Sequence, residues 1–170
     1  MRFKYCPECG SVLKPRCAGD DGLVPYCKQC DKMWFDMFSS CVLVLTYNEY
    51  DEVVLARQST LSDRYASFTS GYITPGESAE RAALREVREE LGIELQTLEF
   101  AGTYWFERKQ MLMCGFIGYA QKTELKLSEE IDSAEWTAAK DVPKTLFPEN
   151  PQNAAYAIYR KFLEMRGIQL

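Results

Sequence analysis

Beyond residue 38 the apolar positions recur at strand periods, beginning with the β-rich run Cys41-Val42-Leu43-Val44-Leu45-Thr46-Tyr47. Asn48-Glu49-Tyr50-Asp51 reads as a turn, and Val53 to Arg57 returns as the hairpin partner. A polar loop follows to Tyr65, then a short strand candidate from Ser67 to Ile73 that Pro75-Gly76 ends. Ser78 to Leu91 is the strongest helix pattern, with Ser78 as N-cap and Gly92 just past its C-terminus. Leu95 to Phe106 and Met111 to Ala120 are long β-rich stretches. A short strand is expected around Trp136, then a proline-containing connection and an amphipathic helix from about Gln152 to Arg166. The expected class is α+β, a mixed and strongly curved sheet with helices packed against it.

At about 100° per residue, Glu86, Glu89 and Glu90 of the first helix fall within an arc of roughly 100°, alongside Ala79, Ala82 and Ala83. Leu84, Val87 and Leu91 form the neighbouring apolar stripe, expected to face the sheet, while Arg81, Arg85 and Arg88 fill the remaining arc. Like charges three and four residues apart disfavour a helix by a few tenths of a kcal/mol each, and the alanines leave space above the carboxylates. A hard divalent cation, Mg²⁺ or Mn²⁺, would resolve both facts. A solvated acidic face is the alternative, and the wheel alone does not separate them.

The N-terminal segment, residues 1–37, has a different pattern. Cys6-Pro7-Glu8-Cys9 and Cys27-Lys28-Gln29-Cys30 are two CxxC knuckles 17 residues apart, the spacing of a tetrahedral four-cysteine Zn²⁺ site. Gly10 and Asp31 follow the knuckles and suit tight turns. Large apolar residues are few, so metal binding is expected to supply most of the folding energy of this zinc ribbon. Six Lys or Arg (Arg2, Lys4, Lys14, Arg16, Lys28, Lys32) face five acids (Glu8, Asp20, Asp21, Asp31, Asp36), a weak footprint for nucleic acid. Cys17, Cys41 and Cys114 have no partner at ligand spacing and read as small buried hydrophobes.

Composition mainly excludes. The chain has 170 residues and no histidine, which removes Ser-His and Cys-His nucleophile pairs, histidine metal sites and histidine bases. A net charge of -5 argues against general polyanion binding. No apolar run approaches the ~18 residues of a membrane span, and the N-terminus has no apolar segment to serve as a signal peptide, so a cytoplasmic address is expected.

Gly71, Glu77, Arg85-Glu86-Val87-Arg88-Glu89-Glu90-Leu91-Gly92-Ile93 matches the Nudix box G-x5-E-x7-R-E-U-x-E-E-x-G-U at its nine fixed positions over 23 residues. Residues 38–170 thus resemble the Nudix hydrolases, which implies the Nudix fold and hydrolysis of a P–O–P anhydride in a nucleoside-diphosphate derivative. By that resemblance Glu86, Glu89 and Glu90 bind catalytic Mg²⁺ or Mn²⁺, the Gly71 carbonyl adds a ligand, and Arg85 pairs with Glu77 to fix loop against helix. With histidine absent, Glu89 or Glu130 takes the remaining proton.

A zinc ribbon followed by such a body is similar to the bacterial NADH pyrophosphatases. Glu130-Ile131-Asp132-Ser133-Ala134-Glu135-Trp136 resembles their later Glu-x-x-x-Ala-x-Trp stretch, which carries a metal-cluster role to Glu130. The resemblance places Tyr72 on a base and Ala155 near the phosphates, and it implies a homodimer, for which the aromatic Tyr104 to Phe106 segment offers a surface. Substrates implied are a dinucleotide such as NADH or NAD, or a relative such as ADP-ribose. The chain departs from the family where Ser-Gln-Pro-Trp-Pro-Phe-Pro-x-Ser is expected: Thr103-Tyr104-Trp105-Phe106-Glu107-Arg108-Lys109-Gln110-Met111 stands there, and the longer N-terminal region is missing. Two alternatives stay open. One is a catalytically weak nucleotide sensor, against which the intact glutamates speak. The other is a hydrolase of RNA caps such as an NAD cap, against which the acidic total and near-neutral ribbon speak.

Overall fold

The computed structural model describes residues 3–150 and 152–169. Arg2, counted above among the charges of the N-terminal segment, lies outside them. The chain divides into two compact units, Met1–Phe38 and Ser39–Leu170.

The first unit carries β1 (Lys14–Cys17), β2 (Leu23–Cys27) and β3 (Lys32–Met33), antiparallel in that order. Its buried side chains among the described residues are Cys6, Val24 and Cys27, too few for a conventional core. Gly10 (φ 73°) and Asp31 (φ 49°) take the left-handed turns expected after the knuckles. Arg16 stacks 4.4 Å over the Tyr26 ring, and Lys32 lies 4.6 Å over Trp34. Cys17 departs from the reading given above: it is exposed, because every residue of β1 faces solvent.

The second unit is built on β4 (Ser39–Tyr47), β5 (Glu52–Arg57), β6 (Thr69–Tyr72), α1 (Ala79–Leu91), β7 (Thr97–Phe106), β8 (Met111–Tyr119), β9 (Ser133–Ala138) and α2 (Ala154–Arg166). The sheet runs β7-β8-β4-β5-β9, with β6 also paired to β4. It is mixed, since β4 and β8 are parallel along their length while the other pairs are antiparallel. One edge of β4 is shared: β6 takes Cys41 to Val44, and β5 pairs at Tyr47. Asn48 makes that turn, its buried side-chain oxygen accepting the Tyr50 and Glu52 N–H groups.

Strand alternation sorts the core. Val42 and Val44 of β4, with Phe116 of β8, face α1 and pack on Ala82, Ala83, Val87 and Leu91. Leu43 and Leu45, with Ile117, face α2 and pack with Ile158, Tyr159 and Phe162. A helix therefore covers each face. Cys41 is buried and Cys114 half-buried; burial pushes both thiols up, Cys41 to about 11. Among the described residues no helix is long and apolar enough to cross a membrane.

Two features of α1 differ from the wheel. Leu84 is exposed rather than packed, and Ala82 and Ala83 are buried against the sheet rather than open above the carboxylates. The sheet-facing stripe lies about one position round from the one expected, because small side chains let helix and strands approach closely and Leu84 then falls outside the contact.

Candidate active site

The Ser78 hydroxyl accepts the Arg81 N–H, capping α1. Gly92 ends the helix at φ 68°, its N–H bonded to the Arg88 carbonyl. A Cβ there would lie 2.7 Å from the Lys126 Cβ, so glycine serves both the left-handed cap and the close passage of the following chain. That chain docks on the helix end: the Lys126 N–H bonds to the Leu91 carbonyl at 2.9 Å, and the Ser128 N–H to the Glu90 carbonyl at 3.2 Å. Glu130 is brought in this way to the carboxylates of α1.

Arg85 is the hub. Its Nε and Nη2 donate to both Glu77 oxygens at 2.8 and 2.9 Å, a bidentate pair. Nη2 also reaches the Tyr72 carbonyl at 3.0 Å, and Nη1 reaches Glu86 Oε1 at 2.7 Å and Glu89 Oε2 at 3.0 Å. The Thr74 N–H and hydroxyl complete the shell of Glu77. Arg85, followed by the Thr74 N–H, pulls Glu77 down to about 2. The pairing expected from the sequence is present, and the same guanidinium also holds two of the three clustered glutamates.

Glu90 is in a different state. It is 4% exposed, Oε1 accepts from Gln58 Nε2 at 3.3 Å, and Oε2 is buried with no partner. Burial first, then the negative Glu86 and Glu130, pushes it up to about 8. A buried carboxylate oxygen without a donor costs ~1–3 kcal/mol or more, and beside two further carboxylates that cost is relieved by a proton on Glu90 or by a cation. The set is all oxygen, and a divalent cation would displace the Glu90 proton, which fits Mg²⁺ or Mn²⁺ and not a soft metal.

Gly71 has a steric reason to be glycine. A Cβ on it would sit 1.9 Å from Glu86 Cδ, so the strand can lie beside that carboxylate only with no side chain. Gly71, Glu86, Glu89, Glu90 and Glu130 all line one cleft of about 1180 Å³. That exceeds the ~300–1,000 Å³ of ordinary small-molecule pockets, leaving room for a ligand of dinucleotide size.

Tyr72 lines the same cleft and is 57% exposed; Ala155, buried in the first turn of α2, contributes to its wall. The floor is the α2-side face of the sheet beyond the helix, with Cys41 in register with Met113. Sequence reasoning missed Gln58, the Met111 and Met113 floor, and Arg108 and Lys109 at the rim. Gln58 carried no signal, since it lies in an aperiodic loop 32 residues before its partner. The methionines were visible only as members of a strand.

In the first unit the Sγ atoms of Cys6, Cys9, Cys27 and Cys30 all lie within 4.8 Å of one another. Cys6 and Cys30 are 3.9 Å apart, Cys9 and Cys27 3.5 Å. Metal–sulfur bonds of ~2.3 Å at tetrahedral angles require sulfurs roughly 3.8 Å apart. Both separations lie near that value and the others stay within 4.8 Å, an arrangement compatible with one tetrahedral ion.

A family model described as NUDIX domain matches residues 37–160. The NAD-capped RNA hydrolase NudC of Stutzerimonas stutzeri (strain A1501) is 31% identical over 158 residues, which are 92% of this chain and 55% of that protein. The chain spans about half the length of the curated relatives it matches. A NUDIX hydrolase from Nitrosomonas europaea shares the fold, with a TM-score of 0.71 over 98% of this chain and 94% of that one at 16% identity. The MutT protein from Methanosarcina mazei Go1 gives a TM-score of 0.60 at 25% identity, covering 78% of this chain and 98% of that one.

The Gly71 geometry gives a test that separates site from fold. Because the atoms met by a new Cβ are the mobile end of Glu86, Gly71→Ala should keep a melting temperature within about 4 °C of the parent, the equivalent of ~1 kcal/mol. Mn²⁺ affinity, measured by electron paramagnetic resonance of the free ion, should fall at least tenfold as Glu86 is displaced. Unchanged affinity would mean that the Glu86 position is immaterial.

Proposed function

The chain belongs to the Nudix hydrolase family, and from that premise we propose that it hydrolyses the pyrophosphate bond of a nucleoside-diphosphate derivative with Mg²⁺ or Mn²⁺. The substrate class is a dinucleotide such as NADH or NAD, or a relative such as ADP-ribose. The observation that carries this reading is the unpartnered, buried Glu90 oxygen beside Glu86 and Glu130, in a cleft large enough for such a ligand.

Glu86, Glu89, Glu90 and Glu130, with the Gly71 carbonyl, would hold the ions. When bound, Mg²⁺ or Mn²⁺ supplies charge neutralisation at phosphate oxygens and a lowered pKa for water. The chain's own residues do the rest. Arg85 fixes Glu86 and Glu89 in place and, through Glu77 and the Tyr72 carbonyl, ties the end of β6 and the loop after it to the helix. Glu89, the most exposed of the three helix carboxylates, has only Oε2 engaged by Arg85 and is the first candidate to take a proton from the attacking water. Glu130, also exposed, is the second candidate for that step. Tyr72 offers an open ring for a base, and the backbone around Ala155 at the N-terminus of α2 approaches the phosphates.

A second reading is favoured by the relatives named NAD-capped RNA hydrolase: an NAD cap contains the same anhydride, and the cleft opens to solvent at the Tyr72 side. Comparing kcat/KM for NADH, NAD, ADP-ribose, dinucleoside polyphosphates, nucleotide sugars and an NAD-capped RNA ranks the two. Salt-sensitive preference for the RNA would favour the second. Failure to cleave any of them would remove both.

The four cysteines are proposed to hold a structural Zn²⁺, which suits a reducing, cytoplasmic setting. Homodimerisation is proposed through β7, an edge strand of the sheet among the described residues, on which Phe100 is 61% exposed. Light scattering at micromolar concentration decides it, a monomer mass being the contrary result.

Purified protein should contain about one zinc per chain. Cys27→Ser should loosen the first unit while the second keeps its circular dichroism; a Cys27 disulfide in protein made under reducing conditions would contradict the zinc site. For the second unit, Glu89→Gln should lower kcat by roughly 10³-fold with the fold intact. Arg88→Gln, at an exposed position of the same helix, should stay within about tenfold. Equal turnover by the two variants would refute the role given to Glu89.

A further inference from the structure

Glu90 is the buried member of the carboxylate cluster, and the question it raises is what holds it in place. Arg85 reaches Glu77, Glu86 and Glu89 but makes no bond to Glu90. Besides a backbone contact from the Ser70 N–H, the one side-chain donor to Glu90 among the described residues is Gln58, whose Nε2 lies 3.3 Å from Oε1. Gln58 begins the loop after β5, a segment with no strand or helix to stiffen it.

The loop is fixed instead by local bonds. The Leu61 and Ser62 N–H groups both bond to the Gln58 carbonyl, at 2.9 and 3.0 Å, closing a turn on Gln58 itself. From the other side, the Asp132 N–H bonds to the Arg57 carbonyl at 3.0 Å, and the Asp132 carboxylate accepts the Ser59 N–H. Asp132 lies two residues after Glu130, and its segment is in turn bonded to the Glu90 carbonyl through the Ser128 N–H. The backbone of Gln58 is therefore gripped on both sides by the segment that carries Glu130. Its side chain then fixes one oxygen of Glu90 and leaves the other without a partner.

We propose that Gln58 is a positioning residue for the metal site: it orients the Glu90 carboxylate so that Oε2 faces the ion, and Asp132 holds Gln58 in place to do so. The proposal rests on the reading of Glu86, Glu90 and Glu130 as ligands. A hydrogen bond to the free oxygen of a ligating carboxylate restricts its rotation, and loss of such a support typically weakens metal binding about 10- to 100-fold. Gln58 also lines the cleft, so activity alone would not distinguish positioning from contact with substrate. Binding of the ion in the absence of nucleotide does.

The experiment is titration of the full chain with Mn²⁺ alone, read by the free-ion paramagnetic resonance signal. Gln58→Met keeps the length and removes the donor; Gln58→Asn keeps the amide and shortens its reach. Both should melt with the parent and bind Mn²⁺ at least tenfold more weakly. Activity of Gln58→Met should return toward the parental kcat as Mn²⁺ is raised. Equal or tighter binding by Gln58→Met, beside saturable binding by the parent, would overturn this proposal alone. Absence of saturable binding by the parent would overturn it together with the reading on which it rests.

Discussion

A single guanidinium holds the site together. Arg85 is gripped by both oxygens of Glu77, and from that anchor reaches Glu86, Glu89 and the Tyr72 carbonyl. The loop, the end of β6 and two carboxylates of α1 thereby become one body. Without it, carboxylates three and four residues apart would disfavour the helix that carries them, and β6 would lose its charged tie to α1. Glu90 stands outside this arrangement. Its burial is sustained by the packing of Ala82, Ala83, Val87 and Leu91 on the sheet, so the apolar side of α1 keeps an unfavourable carboxylate in position for the polar side to use.

The cleft follows from the sheet rather than from any one loop. The parallel register of β4 and β8 puts Cys41 beside Met113 and Leu43 beside Gly115 on the face that α2 covers. A Cβ at Gly115 would lie 2.7 Å from Ile158 Cδ1, so the absent side chain is what lets α2 close on that end of the face. At the other end α2 stops, and the sulfur-rich strands become a floor. Met side chains adapt to irregular partners, which suits a surface that takes a ligand. The β6 edge then brings Gly71 and Tyr72 to the rim, where α1 supplies its glutamates.

Much of this was legible in the residues. Spacing alone grouped Glu86, Glu89 and Glu90, the capping signals at Ser78 and Gly92 bounded the helix within a residue, and alternation marked the strands. What resisted reading was whatever depends on contact between distant segments. The wheel arranges residues around α1 but does not say which stripe the sheet takes, so it puts Leu84 inside and leaves open space above the small alanines. Gln58 and Asp132 have no periodicity, and their roles arise only when two loops meet. Gly71 is legible as a motif position, yet its steric reason, the Glu86 carboxylate where a Cβ would be, arises only when strand and helix meet. Cys17 was misjudged because a three-stranded unit has almost no interior in which to bury it.

On the proposed function, the carboxylates converging on the cleft are there for a divalent cation. Diffraction from crystals grown with Mn²⁺, recorded at the manganese absorption edge, tests this most directly. An anomalous peak is expected in the cleft, ligated by Glu90 Oε2 and by Glu86, with the Gly71 carbonyl or Glu130 completing the shell. Data of equal quality with no peak there, and with Glu90 Oε2 still buried and unpartnered, would contradict the account.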